Sequence, residues 1–200
     1  MKFIAITIIQ ALCLCNFIIA QTKTQNQLKN ESLIQQQNPT SPNPQKTFNP
    51  KALIGKPFPL NQLTIINNST ITLNQLKGKP TLINFWFTTC MPCIAEMPAL
   101  NNIKNTLKDS VSFIAITHEA NKTVKPFLKK HPYSFTQITN TSYFIDSLYM
   151  QTFPVNMFLD KNGVITKIEG GIPFIINANN ELAMSDGKEF IATLRKLIAQ

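Results

Sequence analysis

The sequence predicts an α/β fold in which a central mixed β-sheet is flanked by helices. Three observations carry that expectation. Apolar runs of strand length, Thr81 to Phe87 and Val111 to Thr117, alternate with stretches whose apolar residues recur every three or four positions. Later in the chain Val155 to Leu159 and Val164 to Glu169 flank a tight turn and add an antiparallel hairpin. Hydrophobic residues make up 44% of the 200, enough to bury a core.

The elements follow in chain order. Lys2 is the only charge before Lys23, and Phe3 to Ala20 is apolar apart from Thr7, Gln10 and Asn16. A basic start, an apolar centre and a small terminal residue predict a secretory signal peptide over 1–20, cleaved after Ala20. The run is also about long enough to span a bilayer, so an uncleaved anchor stays open, as does a lipid-modified Cys13 or Cys15. All three alternatives export the rest of the chain to the cell envelope or periplasm. Residues 21–49 are Gln-rich and then Pro-rich, with few aromatics and no sustained apolar period, and they read as a disordered linker.

Residues 50–200 read as the folded domain. Ile65-Ile66 and Thr70 to Leu73 flank Asn67-Asn68-Ser69 and predict an N-terminal β-hairpin. Thr81 to Phe87 is a strand covered on both faces. Met91 to Leu107 carries Ile94, Met97, Leu100, Ile103 and Leu107 at helical spacing. Thr123 to Lys130 and Ser142 to Met150 are further helical stretches. The hairpin turns at Asp160-Lys161-Asn162-Gly163, and Gly187 to Ala199 closes the chain as an amphipathic helix.

The net charge of +9 is spread thinly, with no block of five like charges, so a basic soluble surface is expected and nucleic acid is not a predicted partner. Removal of the leader takes Cys13 and Cys15 with it and leaves one pair, Cys90 and Cys93. That pair follows a buried strand and opens a helix. Unpaired N–H groups and the positive end of the helix dipole stabilise a thiolate at Cys90, while Cys93 lies one turn inside. Pro92 sits in the first turn, where its missing N–H does no harm. Cys90 can then attack a disulfide and Cys93 can resolve the mixed intermediate. A purely structural bridge is the bland alternative, but it closes too short a loop to contribute much stability. Half a zinc site is the other; His118 and His131 are the only histidines, each expected at the surface, so no metal and no cofactor is predicted. Glu96 lies one helical turn from Cys93 and can share its face. Glu119, after the strand ending at Thr117, is a second candidate carboxylate.

Gly78-Lys79-Pro80-Thr81-Leu82-Ile83-Asn84-Phe85-Trp86, followed by Cys90-Met91-Pro92-Cys93, resembles the thioredoxin fold and in particular the TlpA/ResA-like family of exported thiol-disulfide oxidoreductases. The resemblance runs from about Ala52 to Gln200. In the family a proline five residues past the second cysteine kinks the active-site helix, and Pro98 stands there. A glutamate three residues past that cysteine matches Glu96. A cis-proline facing the dithiol matches Pro154 in Phe153-Pro154-Val155. The resemblance therefore implies Cys90, Cys93, Glu96 and Pro154 as the catalytic set, cycling through a Cys90–Cys93 disulfide. Trp86, Pro92, Phe153 and Glu119 are expected around it. Two departures stand out: Thr89 occupies a place that is often tryptophan, and an extra segment at about 172–186 begins with an apolar Ile-Pro-Phe-Ile-Ile run.

The resemblance implies an enzyme that reduces protein disulfides, apocytochrome or other envelope proteins among them, and draws on an unidentified electron donor, with its N-terminus as a membrane tether if uncleaved. Two other classes stay open at this point. A peroxiredoxin-like peroxidase needs an arginine near its reactive cysteine, and the only one here is Arg195. A metallochaperone or redox-inert binding module needs further soft ligands, of which Met91 is the one obvious neighbour.

Overall fold

A computed structural model describes residues 47–59, 62–176 and 178–200; the expected leader and most of the expected linker lie outside the described residues. Five strands form the central sheet: β3 (Thr81–Phe85), β4 (Ser112–Ile116), β5 (Thr136–Ile138), β6 (Val155–Leu159) and β7 (Ile165–Glu169). They are ordered β5-β4-β3-β6-β7. β3 pairs parallel with β4, and β4 with β5, whereas β6 and β7 are antiparallel. A small separate hairpin, β1 (Gln62–Thr64) with β2 (Thr70–Thr72), precedes this sheet. The mixed sheet is as the sequence predicts; the N-terminal hairpin forms too, but its first strand is Gln62–Thr64, earlier than the expected Ile65-Ile66, and Ile66 lies in the turn.

β3 and β6 are buried at every position, which accounts for their near-continuous apolar runs. Alternation along them divides the core. Ile83, Phe85, Ile114, Ile116, Met157 and Leu159 pack on one face. Leu82, Trp86, Phe113, Ala115 and Phe158 point to the other. That second face is covered by the helix Met91–Leu107 and the C-terminal helix Lys188–Ile198, through Met97, Leu100, Ile103, Phe190 and Leu194.

Helices α1 (Pro50–Leu53) and α2 (Leu73–Leu76) are single turns, held by an Asn49 cap and a Thr72–Gln75 capping box. Four residues are too few to show a helical period, so the sequence does not announce them. The long helix, α3 (Met91–Leu107), matches its predicted span; Pro98 lies inside it. α4 (Asn121–Lys130) and α5 (Ser142–Ser147) follow, the latter shorter than predicted, with Tyr149 at a positive φ beyond its end. The segment after β7 forms a second small hairpin, β8 (Phe174–Ile176) with β9 (Leu182–Met184), which sequence reasoning left without structure. The chain ends in α6 (Lys188–Ile198). Among the described residues no helix is long and apolar enough to cross a membrane.

Candidate active site

The loop from β3 to α3 is built to hold a sulfur at a helix end. Trp86 extends the strand by donating its backbone N–H to Ile116 O at 3.0 Å, and Cys90 N donates to Phe87 O at 3.1 Å. Cys90 is then the N-cap of α3, and its Sγ accepts from the Cys93 N–H at 3.3 Å. The two cysteines are joined in a disulfide with their Cα atoms 5.2 Å apart. Both are buried, Cys93 at 1% exposure and Cys90 at 5%. Met91 is 72% exposed beside them, and Pro92 is also exposed. The disulfide thus lies just beneath the exposed first turn of the helix.

Glu119 braces this loop. Its carboxylate accepts from Thr88 N and from Thr88 Oγ1, each at 2.7 Å. It lies half-buried after β4, where a charged acceptor binds the two donors together. Phe153 and Phe87 meet edge to face with ring centroids 5.2 Å apart, and the exposed His118 ring lies 5.6 Å from Phe87. The Phe153–Pro154 peptide bond is cis.

Glu96 is the unusual residue. Its helix places Cys93, Glu96, Met97 and Leu100 on one buried face, so a carboxyl enters the apolar layer against the sheet with 0% exposure. There it meets the two polar side chains that interrupt the apolar strands. Asn84 on β3 and Asn156 on β6 are register partners, and both share a face with Leu82 and Phe158. Asn84 Nδ2 donates to Glu96 Oε1 at 2.7 Å and to Asn156 Oδ1 at 3.1 Å. Asn156 Nδ2 donates in turn to Gly170 O at 2.9 Å. The Ile172 N–H donates to Glu96 Oε2 at 2.8 Å. Gly171 lets that segment approach: a Cβ there would lie 2.8 Å from Pro154 Cγ and 3.1 Å from Glu96 Oε2. Burial disfavours the charged carboxylate and lifts its pKa from 4.5 to about 7, against the lowering effect of the hydrogen bonds from Ile172, Asn84 and Asn156.

Tyr133 closes the network, its hydroxyl donating to Asn84 Oδ1 at 2.9 Å. The structure therefore brings Glu96 together with Asn84, Asn156 and Tyr133, three residues that sequence reasoning missed. A signal for two of them was present: a lone Asn inside a fully buried strand must find a partner. Trp86 stands beside the network, edge-on to Tyr133 with centroids 5.9 Å apart. No cluster of three or more His, Cys, Asp or Glu suited to a metal ion occurs among the described residues. Arg195 is exposed on α6.

With this geometry in hand, comparison with known proteins is specific. The family model described as Redoxin matches residues 53–182. The chain is 35% identical over 124 residues to a "Thiol-disulfide oxidoreductase ResA" of Bacillus cereus, a match covering 60% of this chain and 72% of that one. It is 31% identical over 137 residues to a "Thiol:disulfide interchange protein DsbE" of Pseudomonas fluorescens, covering 67% and 76%. Among solved structures, the thioredoxin domain of a thiol-disulfide oxidoreductase from Bacteroides vulgatus superposes with a TM-score of 0.59 at 20% identity, over 72% of this chain and 97% of that one. At that identity the likeness concerns the fold.

Proposed function

From the premise that this chain belongs to the Redoxin family and is a thiol-disulfide oxidoreductase, we propose that it reduces protein disulfides in the cell envelope through Cys90 and Cys93. The observation that carries the reading is the redox pair at the N-terminus of α3 with a buried carboxyl one turn behind it. In the reduced protein the Cys90 thiolate attacks a substrate disulfide, forming a mixed disulfide and expelling one substrate thiolate, which takes up a proton. Cys93 loses its proton and attacks Cys90 Sγ. The second substrate thiolate leaves, and the Cys90–Cys93 disulfide is restored. Two electrons and two protons pass from the dithiol to the substrate, and a donor dithiol of the same compartment returns them.

Glu96 is the acceptor for the Cys93 proton in this scheme. Its pKa near 7 lets the carboxyl take and give a proton close to neutrality, where a solvated glutamate is fully ionised. Export rests on the apolar Phe3 to Ala20 segment behind Lys2. An envelope location also lets a disulfide persist between turnovers.

The direction of exchange is tested by equilibrating the Cys90–Cys93 couple against dithiol buffers. A reductase is expected near the roughly −270 mV of thioredoxin, whereas a value near the roughly −120 mV of strongly oxidising exchange proteins would reverse the direction.

A further inference from the structure

Asn84 has its amide orientation dictated from both ends. Its NH2 group spends one hydrogen on Glu96 Oε1 and the other on Asn156 Oδ1. Inverting the amide would set its oxygen against two acceptors. Asn156 cannot relieve that clash by turning over, because its own NH2 is committed to Gly170 O. At the far end the Tyr133 hydroxyl supplies the hydrogen that the Asn84 oxygen needs. Without it the Asn84 oxygen has no donor in this orientation, and only Asn156 Oδ1 still opposes inversion once Glu96 is protonated and has a hydrogen of its own to donate.

Tyr133 is itself delivered by the active-site helix. Asn101 on α3 donates from Nδ2 to Pro132 O at 2.8 Å and accepts at Oδ1 from Ser134 N and Ser134 Oγ, each at 2.9 Å. Lys104, one turn on, donates to Ser134 O. The tyrosine ring packs on Phe135 at 4.7 Å and on the edge of Trp86, and the side chain is buried. The helix that carries Cys93 and Glu96 thus also holds, by a separate route, the group that orients the partner of Glu96.

We propose that Tyr133 is a positioning residue that acts through Asn84: it keeps the Asn84 NH2 group turned toward Glu96, so that the ionised carboxylate is solvated by protein hydrogens and can accept the proton that Cys93 gives up. The inference rests on the reading of Glu96 as the proton partner of Cys93. Around Glu96 the titratable groups are Tyr133 from the 131–135 segment and, once the disulfide to Cys90 is reduced, Cys93 on the same buried face of α3. β3 and β6 contribute amides only, and the 170–172 segment backbone only. The ion pairs Lys167–Glu169 and Lys188–Asp186 do not touch this site. The burial of Tyr133 and the nearby Glu96 both hold its hydroxyl protonated well above its ordinary range, so it stays a donor.

The experiment is a pH titration of the Glu96 carboxyl carbon by NMR in the oxidised full chain, with Glu96→Gln to assign the signal, beside the pH profile of thiol-disulfide exchange. Tyr133→Phe keeps the ring and removes only the hydroxyl. We expect the Glu96 midpoint to rise by about one pH unit, the scale of losing one hydrogen bond to the charged form, and the inflection in the exchange profile to rise with it. Asn101→Ala, at a half-buried position outside the network, should move both in the same direction by less. An unmoved midpoint in folded Tyr133→Phe overturns the inference. If that variant does not fold, an unmoved midpoint in Asn101→Ala does so. A midpoint that moves while the inflection survives in Glu96→Gln would keep the positioning role and instead remove Glu96 from the exchange reaction.

Discussion

The protonation of Glu96 should be visible in the stability of the whole domain. The folded protein holds the Glu96 proton more tightly than the unfolded chain does. Below about pH 4.5 both states are protonated and Glu96 costs nothing. Between there and about pH 7 the native state binds more protons than the unfolded one, so stability falls as pH rises; above about 7 the loss is complete. A carboxyl whose midpoint moves from 4.5 to about 7 forfeits about 3 kcal/mol across that window. Glu96→Gln has no proton to lose. The amide cannot accept from both Asn84 Nδ2 and the Ile172 N–H, so the variant carries an offset of about 1–3 kcal/mol, the same at every pH. The informative quantity is therefore the change in the difference between the two proteins. Urea unfolding of both, disulfide intact, at about pH 5 and about pH 8 should show the wild type losing about 2.5 kcal/mol relative to the variant, the rest having gone below pH 5. All other titrating groups cancel in that comparison. Parallel behaviour of the two proteins across the window would refute the assignment of a raised Glu96 pKa.

Gly171→Ala should cost about 1–3 kcal/mol, because its Cβ meets the Pro154 ring and the Glu96 carboxylate; urea unfolding at neutral pH reads it, and a neutral effect would show that the segment yields freely. Glu119→Ala leaves the Thr88 N–H and hydroxyl without their acceptor and should lower stability by about 1 kcal/mol, discounted for partial exposure, while raising amide hydrogen exchange across 87–90; unchanged protection there would remove the bracing role. Leu100→Ala, at the centre of the α3 contact with the sheet, should cost about 2–5 kcal/mol by chemical denaturation, and a loss under 1 kcal/mol would contradict the packing described. In the reduced protein, limiting iodoacetamide followed by mass spectrometry should label Cys90 before Cys93, since Cys90 caps the helix and Cys93 lies deeper; the reverse order would exchange their roles.

The long elements were legible because burial leaves a pattern. Thr81 to Phe87 read as a strand covered on both faces, and its strand Thr81–Phe85 is buried throughout; Val155 to Leu159 read as a hairpin strand, and it too is buried at every position. The spacing of Met97, Leu100, Ile103 and Leu107 placed α3 at its observed span. What escaped was short or polar. β5 is three residues, Thr136–Ile138, and Gln137 within it is buried with its amide on the Tyr133 and Phe135 carbonyls. No apolar period announces such a strand. The second small hairpin was hidden differently: Phe174, Ile175 and Ile176 are all exposed, so the apolar run has no buried face to impose the alternation by which a strand is read. At the site, Cys90, Cys93 and Glu96, to which the proposed chemistry is assigned, lie at the start of one helix and were readable from spacing. Asn84, Asn156 and Tyr133 were not, because their partnership spans 72 residues along the chain between the two asparagines and 49 between Asn84 and Tyr133. Only the strand register and the return of the 131–135 segment onto α3 bring them to Glu96.

In the proposed mechanism Cys90 Sγ meets the substrate and Cys93 Sγ releases it. That division of roles is tested most directly by incubating reduced Cys93→Ser and Cys90→Ser proteins separately with a disulfide-bonded protein such as insulin and identifying the covalent adducts by mass spectrometry. A stable mixed disulfide is expected on Cys90 in Cys93→Ser, because the resolving thiol is gone, and little or none in Cys90→Ser. Equal adducts on both variants, or an adduct on Cys93 alone, would contradict it.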